Sequence, residues 1–311
     1  MQTNTTRDKT IDFIKGILIL FVILGHTTLG LTDMYSFDDT MNGIANVIYS
    51  FHMPCFIAVS GFLYSEYVGN ASQGIFSRIC HKAFNILLPY VMISVIYWII
   101  KFALSNLIRE PVAVSSLISI PWKPIEFLWY LYALFLLYCV AYMADYVFAR
   151  LLPHFNYKME LLFVLFLIIA FTCYGSFHYV GFNYIAGFQM YFYLGCLIKK
   201  WLDKLDNRYA VLSLTVMSVL VEASGIVLQD DMSSNPIFSS LFERFTACIV
   251  TVFIFAVSYF LSGYCDFPKW LQTIGRDSMP FYAMNVIFVG GIRIILNRAG
   301  ITNMALPGIW G

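Results

Sequence analysis

The sequence is short of charge. Of its 311 residues only 12% are Asp, Glu, Lys or Arg, about half of what a water-facing surface of this size carries. An ordinary soluble domain is thereby excluded. The charges that are present nearly cancel, to a formal net +1, so neither a polyanion nor nucleic acid is expected as a partner. The seven cysteines form no C-x-x-C pair. Most lie within or beside apolar runs and read as small hydrophobes, not as a disulfide framework or a zinc site, and no metal is expected. Polar segments long enough to hold a soluble domain are missing too. Among the longest gaps between apolar runs is "SEYVGNASQGIFSRICHK", residues 65–82. No A-x-A-like cleavage signal follows the first apolar run, which therefore reads as a retained span.

What fills the chain is hydrocarbon. Hydrophobic residues make up 60% and aromatics 18%, with 29 Phe and 21 Tyr. A membrane-crossing helix needs about 20 mostly apolar residues. Segments 11–32, 43–65, 83–107, 125–149, 159–175, 180–199, 209–229, 243–264 and 277–297 meet that description. The expected fold is a single all-α domain over 1–311, a polytopic transmembrane helical bundle of nine to ten spans. The sixth segment contains "YIAGFQMYFYLGCLI", whose Gln189 and tyrosines suit a protein-facing helix. Lys and Arg set the orientation. With the N-terminus in the cytoplasm, twelve of them fall inside and six outside, leaving aside Lys15 within the first span. The loops at 33–42 and 230–235 carry Asp but no Lys or Arg, as outer loops should. The N-terminus is therefore expected on the cytoplasmic side, in the inner membrane.

Against that background the intramembrane polar residues stand out. "DFIKGILILFVILGH" places Asp12, Lys15 and His26 on one helical stripe, because eleven residues is close to three whole turns. Lys15 alone reads as a snorkelling anchor and His26 alone as a packing histidine. Together they favour a polar cavity between helices. His52 stands two before Pro54 in "FHMPCFIAVSGFL", and a proline at that depth frees backbone carbonyls that a cavity or neighbour must satisfy. Arg78, His81 and Lys82 form a basic cluster. It serves either as a topology signal or as a phosphate site open to the cytoplasm. "PIEFLWYLYALF" supplies Glu126 and Trp129, an interfacial belt or a carbohydrate contact. "IGRDSMPFYAMN" begins the last helix with Asp277 or Ser278 as cap and places Asn285 inside it.

These stretches together resemble the acyltransferase-3 family of integral membrane acyltransferases, which includes sugar O-acetyltransferases of the fucose-4-O-acetylase and Nod-factor-acetylase type. The resemblance is carried by Lys15 through His26, by "FHMPCFIAVSGFL", by the basic stretch before "LPY", by "LWYL" at 128–131 and by "IGRDSMPFY" at 274–282. Each is weak alone, but the five stand in the family's order. Two positions depart from the family pattern. His81 stands where a second arginine is common, and Asn285 where a histidine is common.

The resemblance implies transfer of an acyl group, usually acetyl, from acyl-CoA to a carbohydrate hydroxyl, on a glycan or glycolipid acceptor at the membrane lipid. It assigns His26 as base or transient acyl carrier, with Asp12 and Lys15 lining the donor path. Arg78, His81 and Lys82 would hold the CoA phosphates. His52, Glu126, Trp129 and Asn285 would face the acceptor. A transporter is the chief rival, but the halves show no internal repeat. A catalytically degenerate family member is another. The H-x-x-x-x-D motif of a different acyltransferase class is absent.

Overall fold

The computed structural model describes residues 7–35, 39–68, 74–103, 115–121, 123–125, 128–173, 176–177, 179–205, 207–228 and 235–298. Among them every regular element is a helix. In chain order they are α1 (Lys9–Tyr35), α2 (Asp39–Val68), α3 (Ile75–Lys82), a π turn (Ala83–Leu87), α4 (Leu88–Ala103), α5 (Ser115–Ser119) and α6 (Trp129–Leu151). Then follow α7 (Lys158–Thr172), α8 (Val180–Lys200), α9 (Leu202–Leu205), α10 (Arg208–Val227), α11 (Pro236–Ser262), α12 (Lys269–Arg276) and α13 (Ser278–Arg298). The described residues of each of the nine expected apolar segments lie mainly on a helix. By length and composition five helical stretches are apolar enough to cross a membrane: Lys9–Thr28, Gly43–Ser65, Ile75–Ala103, Trp129–Leu151 and Ile237–Ser262. The bundle turns hydrocarbon outwards. Met92, Ile96 and Ile99 of α4, Val164 and Ile168 of α7, and Val216 and Leu220 of α10 are all exposed. Such a surface is stable against lipid and costly in water. This is a membrane protein.

Two boundaries differ most from the sequence expectation. The third span does not begin at residue 83. Helix starts at Ile75 and runs through the basic cluster, because Ile75, Ile79 and Lys82 share a stripe that packs inwards. Helix α11 starts at Pro236, seven residues before the expected 243. The Asn235 side chain accepts from the amides of Ile237 and Phe238, both at 3.2 Å, and Pro236 occupies the first turn, where its missing N–H costs nothing. Asn207 caps α10 in the same way, accepting from Tyr209 and Ala210. At α1 the Asp8 carboxylate takes the amides of Thr10 and Ile11. Asp277 was an expected cap of the last helix, but its carboxylate accepts from Arg276 instead, at 3.0 Å.

The centre of the bundle is a backbone-to-backbone crossing of α2 and α8. A methyl group added at Gly61 would collide with the Phe192 carbonyl, and one at Gly195 with the Ala58 carbonyl. Small residues allow two helices to approach this closely. Cys196 uses the gap to donate to the Gly61 carbonyl at 3.2 Å. A second close crossing joins α1 to α12. Gly275 lies against the Asp12 carbonyl and Gly16 against that of Leu271.

Contacts at helix ends sort the molecule into two halves. Tyr64 near the end of α2 donates to Asp145 near the end of α6, and Asp145 also pairs with Lys158 at the start of α7, at 2.5 Å. Lys199 at the end of α8 sits 4.6 Å over the Phe62 ring. Tyr259 near the end of α11 donates to Asp8 ahead of α1, at 2.5 Å. All these ends, with α3 and α12, occupy one half. The beginnings of α2, α6 and α11 and the end of α10 occupy the other.

Candidate active site

The half that gathers the cations is electrostatically closed on itself near α1. Asp12 is buried and accepts two bonds from Arg7, to Nε at 2.5 Å and Nη2 at 2.9 Å. This fork holds the Arg7 guanidinium above its ordinary pKa, chiefly through the hydrogen bonds to Asp12. Arg7 also donates to the Arg276 carbonyl at 3.4 Å, fastening α1 to the end of α12. Lys15 completes the group, 3.8 Å from Asp12. The Asp12 carboxylate is therefore occupied by two cations.

On the same half, Arg78 and Lys82 are one turn apart on α3 and both turn towards α6. The Lys82 ammonium stands 3.8 Å from the centre of the Tyr138 ring, and the Arg78 guanidinium 5.9 Å from that of Tyr142. Tyrosine faces hold such cations through the negative face of the ring. His81 diverges from this pair. It is exposed and shares a 2.9 Å hydrogen bond with Asn85. The π turn starts directly after Lys82. Such turns often mark functional positions because the extra residue shifts the face of the helix.

The opposite half contains a cavity of about 680 Å³, large enough for a small carbohydrate. Helix α2 contributes Asn46, Tyr49, Ser50, Met53 and Pro54 to its wall. Pro54 sits inside a continuous α2, so the Ser50 carbonyl one turn earlier has no helical N–H partner at that position. The aromatic side of the wall is Trp129, Phe188 and Tyr191. Trp129 is stacked on Tyr184, ring centres 5.3 Å apart, which leaves it rigid. The polar side is Glu222 from α10 with Glu243 and Arg244 from α11. Ser50 Oγ stands 3.3 Å from Glu222. Arg244 is buried and donates to the Gly187 carbonyl at 3.0 Å and to Ser240 at 3.3 Å. It thus ties α11 to α8 behind the wall.

His26 lies beside this cavity. Its Nδ1 is 3.2 Å from the Tyr49 hydroxyl. His52 is buried, its Nδ1 donates to the Ile48 carbonyl at 2.6 Å, and its ring meets Tyr49 edge to face with centres 5.0 Å apart. One tyrosine therefore lies between the two histidines, its hydroxyl towards His26 and its ring against His52. Lys15 and Asp12 do not join them. They stand eleven and fourteen residues back along α1, about 16 and 21 Å at helical rise, and belong to the Arg7 cluster. Of the expected acceptor contacts, Trp129 is on the cavity wall and His52 backs it through Tyr49. Asn285 is buried, with no partner for Nδ2 among the described residues. Glu126 lies outside the described residues. Sequence reading missed Tyr49, Glu222 and Arg244. The last two carried a signal, since each is a charge on an apolar helix.

Comparison with known proteins identifies the chain. The model of an acyltransferase domain, acyltransferase-3, matches residues 8–311. The chain is similar to Nodulation protein NolL of Mesorhizobium japonicum (strain LMG 29417 / CECT 9101 / MAFF 303099), at 31% identity over 157 residues. It is also similar to Nodulation protein NolL of Sinorhizobium fredii (strain NBRC 101917 / NGR234), at 38% identity over 84 residues. The first match covers 49% of this chain and 38% of the relative; the second covers 27% and 22%. The matched part thus spans well under half the length of each relative. No solved structure matches. With the family domain extending over nearly all of the helical bundle, the chain belongs to the acyltransferase-3 family.

Proposed function

We propose that this protein moves an acyl group, acetyl by preference, from cytoplasmic acyl-CoA to a carbohydrate hydroxyl of a cell-surface glycan or its lipid-linked precursor. The observation that carries the reading is the placement of His26: beside a cavity walled by Trp129 and carboxylates, on the half of the bundle away from Arg78 and Lys82. An imidazole near neutral pH suits removal of a hydroxyl proton. Carboxylates and a rigid tryptophan suit a polyhydroxyl ligand, which offers donors on its edge and C–H groups on its face. Two cations one turn apart on α3, Arg78 and Lys82, suit CoA phosphates. In this reading the N-terminus is cytoplasmic, the bundle crosses the inner membrane nine times, and the acceptor enters from the outer side. Asp12, held between Arg7 and Lys15, fixes the donor end of α1 instead of exchanging protons.

The donor assignment predicts an order of effects. Lys82→Gln and Arg78→Gln should each weaken acyl-CoA binding about tenfold, the size of one charge-assisted hydrogen bond. His81→Gln should do much less. Calorimetric titration of the purified protein with CoA checks this, and equal affinities for all three variants would return the cluster to a topology signal. On the acceptor side, Trp129→Ala should raise the acceptor KM roughly five- to tenfold through the lost stacking surface. Steady-state kinetics in proteoliposomes with labelled acetyl-CoA tests this. They also separate transfer from transport, since export would move the glycan with no acetyl-CoA present.

A further inference from the structure

We propose that Tyr49 is the proton relay between the acceptor cavity and His26. This rests on the reading that acyl transfer to a hydroxyl takes place in that cavity.

Tyr49 occupies the boundary between the two. It lines the cavity, whereas His26 is not part of the cavity wall. The Tyr49 hydroxyl is 3.2 Å from His26 Nδ1. A ligand hydroxyl bonded to the phenol oxygen would thereby be connected to the imidazole through it. The ring is also fixed from both sides. A methyl group at Gly25, the residue preceding His26, would come within 3.1 Å of Tyr49 Cε2, so the tyrosine packs against the bare backbone of α1. On its other side stands His52, edge to face and anchored by its bond to the Ile48 carbonyl. That bond commits His52 Nδ1 as a donor and leaves His26 as the imidazole facing the phenol oxygen.

The chemistry closes without an added reagent. The acceptor O–H passes its proton to Tyr49 Oη as the phenol proton moves to His26 Nδ1. The acceptor oxygen forms its bond to the acyl carbonyl carbon, and the carbon–sulfur bond of the thioester breaks. The CoA thiolate takes a proton from Tyr49 Oη as His26 Nδ1 returns its proton to the phenol oxygen, so both side chains regain their starting states. The products are the sugar ester and the CoA thiol.

The test uses the full-length protein in detergent, with labelled acetyl-CoA and the glycan fraction of cells lacking the gene as acceptor. Tyr49→Phe keeps the ring between Gly25 and His52 and removes only the oxygen. It should lower kcat about 10²- to 10⁴-fold, the range for a lost proton-transfer group, with the acceptor KM within about twofold. Fluorotyrosines of graded phenol acidity at position 49 should change kcat progressively, which a purely packing role would not do. A Tyr49→Phe enzyme retaining full kcat would overturn the relay, as would a fluorotyrosine series without trend. Either result alongside an inactive His26→Ala enzyme removes the relay alone. Full activity of His26→Ala removes the reading beneath it.

Discussion

His26→Ala is expected to abolish measurable acyl transfer, with a fall in kcat of about 10²- to 10⁴-fold for the lost base and an unchanged affinity for acyl-CoA. The separation follows from the distances. Arg78 and Lys82, the proposed phosphate contacts, turn towards Tyr142 and Tyr138 in the cation-rich half. His26 touches Tyr49 in the half that holds the cavity. Removing the imidazole leaves Gly25 and the ring of Tyr49 in contact, so the helix pair should stay assembled. Turnover and CoA titration of the same preparation read the two effects independently. A simultaneous loss of CoA affinity would place His26 on the donor path instead of at the acceptor.

The largest expected effect on stability comes from the α2–α8 crossing. Gly61→Val or Gly195→Val should cost about 3 kcal/mol, the upper end for overpacking. The obstacle at each is a helix backbone, the carbonyl of Phe192 or of Ala58, and no rotamer change can move it aside. The helices would have to separate, and the bond from Cys196 to the Gly61 carbonyl would break with them. Gly74→Ala is the control, because a methyl group there meets nothing within 4 Å. Thermal unfolding in detergent should show large losses for the first two variants and little change for the third. A wild-type midpoint for Gly61→Val would mean that the two helices are not packed this closely.

Much of the fold was legible because hydrocarbon runs of membrane length have few alternatives: every buried backbone group must bond within its own segment. The errors came where a run was judged by charge. Arg78 and Lys82 made Ile75–Lys82 look like a loop, yet the helix continues because Ile75 and Ile79 pack on the core and Lys82 lies over the Tyr138 ring. With the span placed at 243–264, Arg244 stands at its very edge, where a charge draws no notice. The cap at Asn235 starts the helix earlier and carries Glu243 and Arg244 along the cavity wall. At the site, His26 was legible as an imidazole on an apolar stripe. Its separation from Lys15 is also a sequence property, but the stripe could not show that Asp12 is engaged by Arg7. Tyr49 gave no signal, being one of 21 tyrosines. Its proposed role depends on the missing side chain of Gly25 on a different helix, which no local pattern encodes.

Mass spectrometry of cell-surface glycans tests the central claim most directly, comparing cells with the gene, without it, and with His26→Ala at equal protein level. The expected result is a glycan carrying one acyl mass in the first case and lacking it in the other two. Glycans of identical mass in all three would contradict an acyltransferase acting on them through His26.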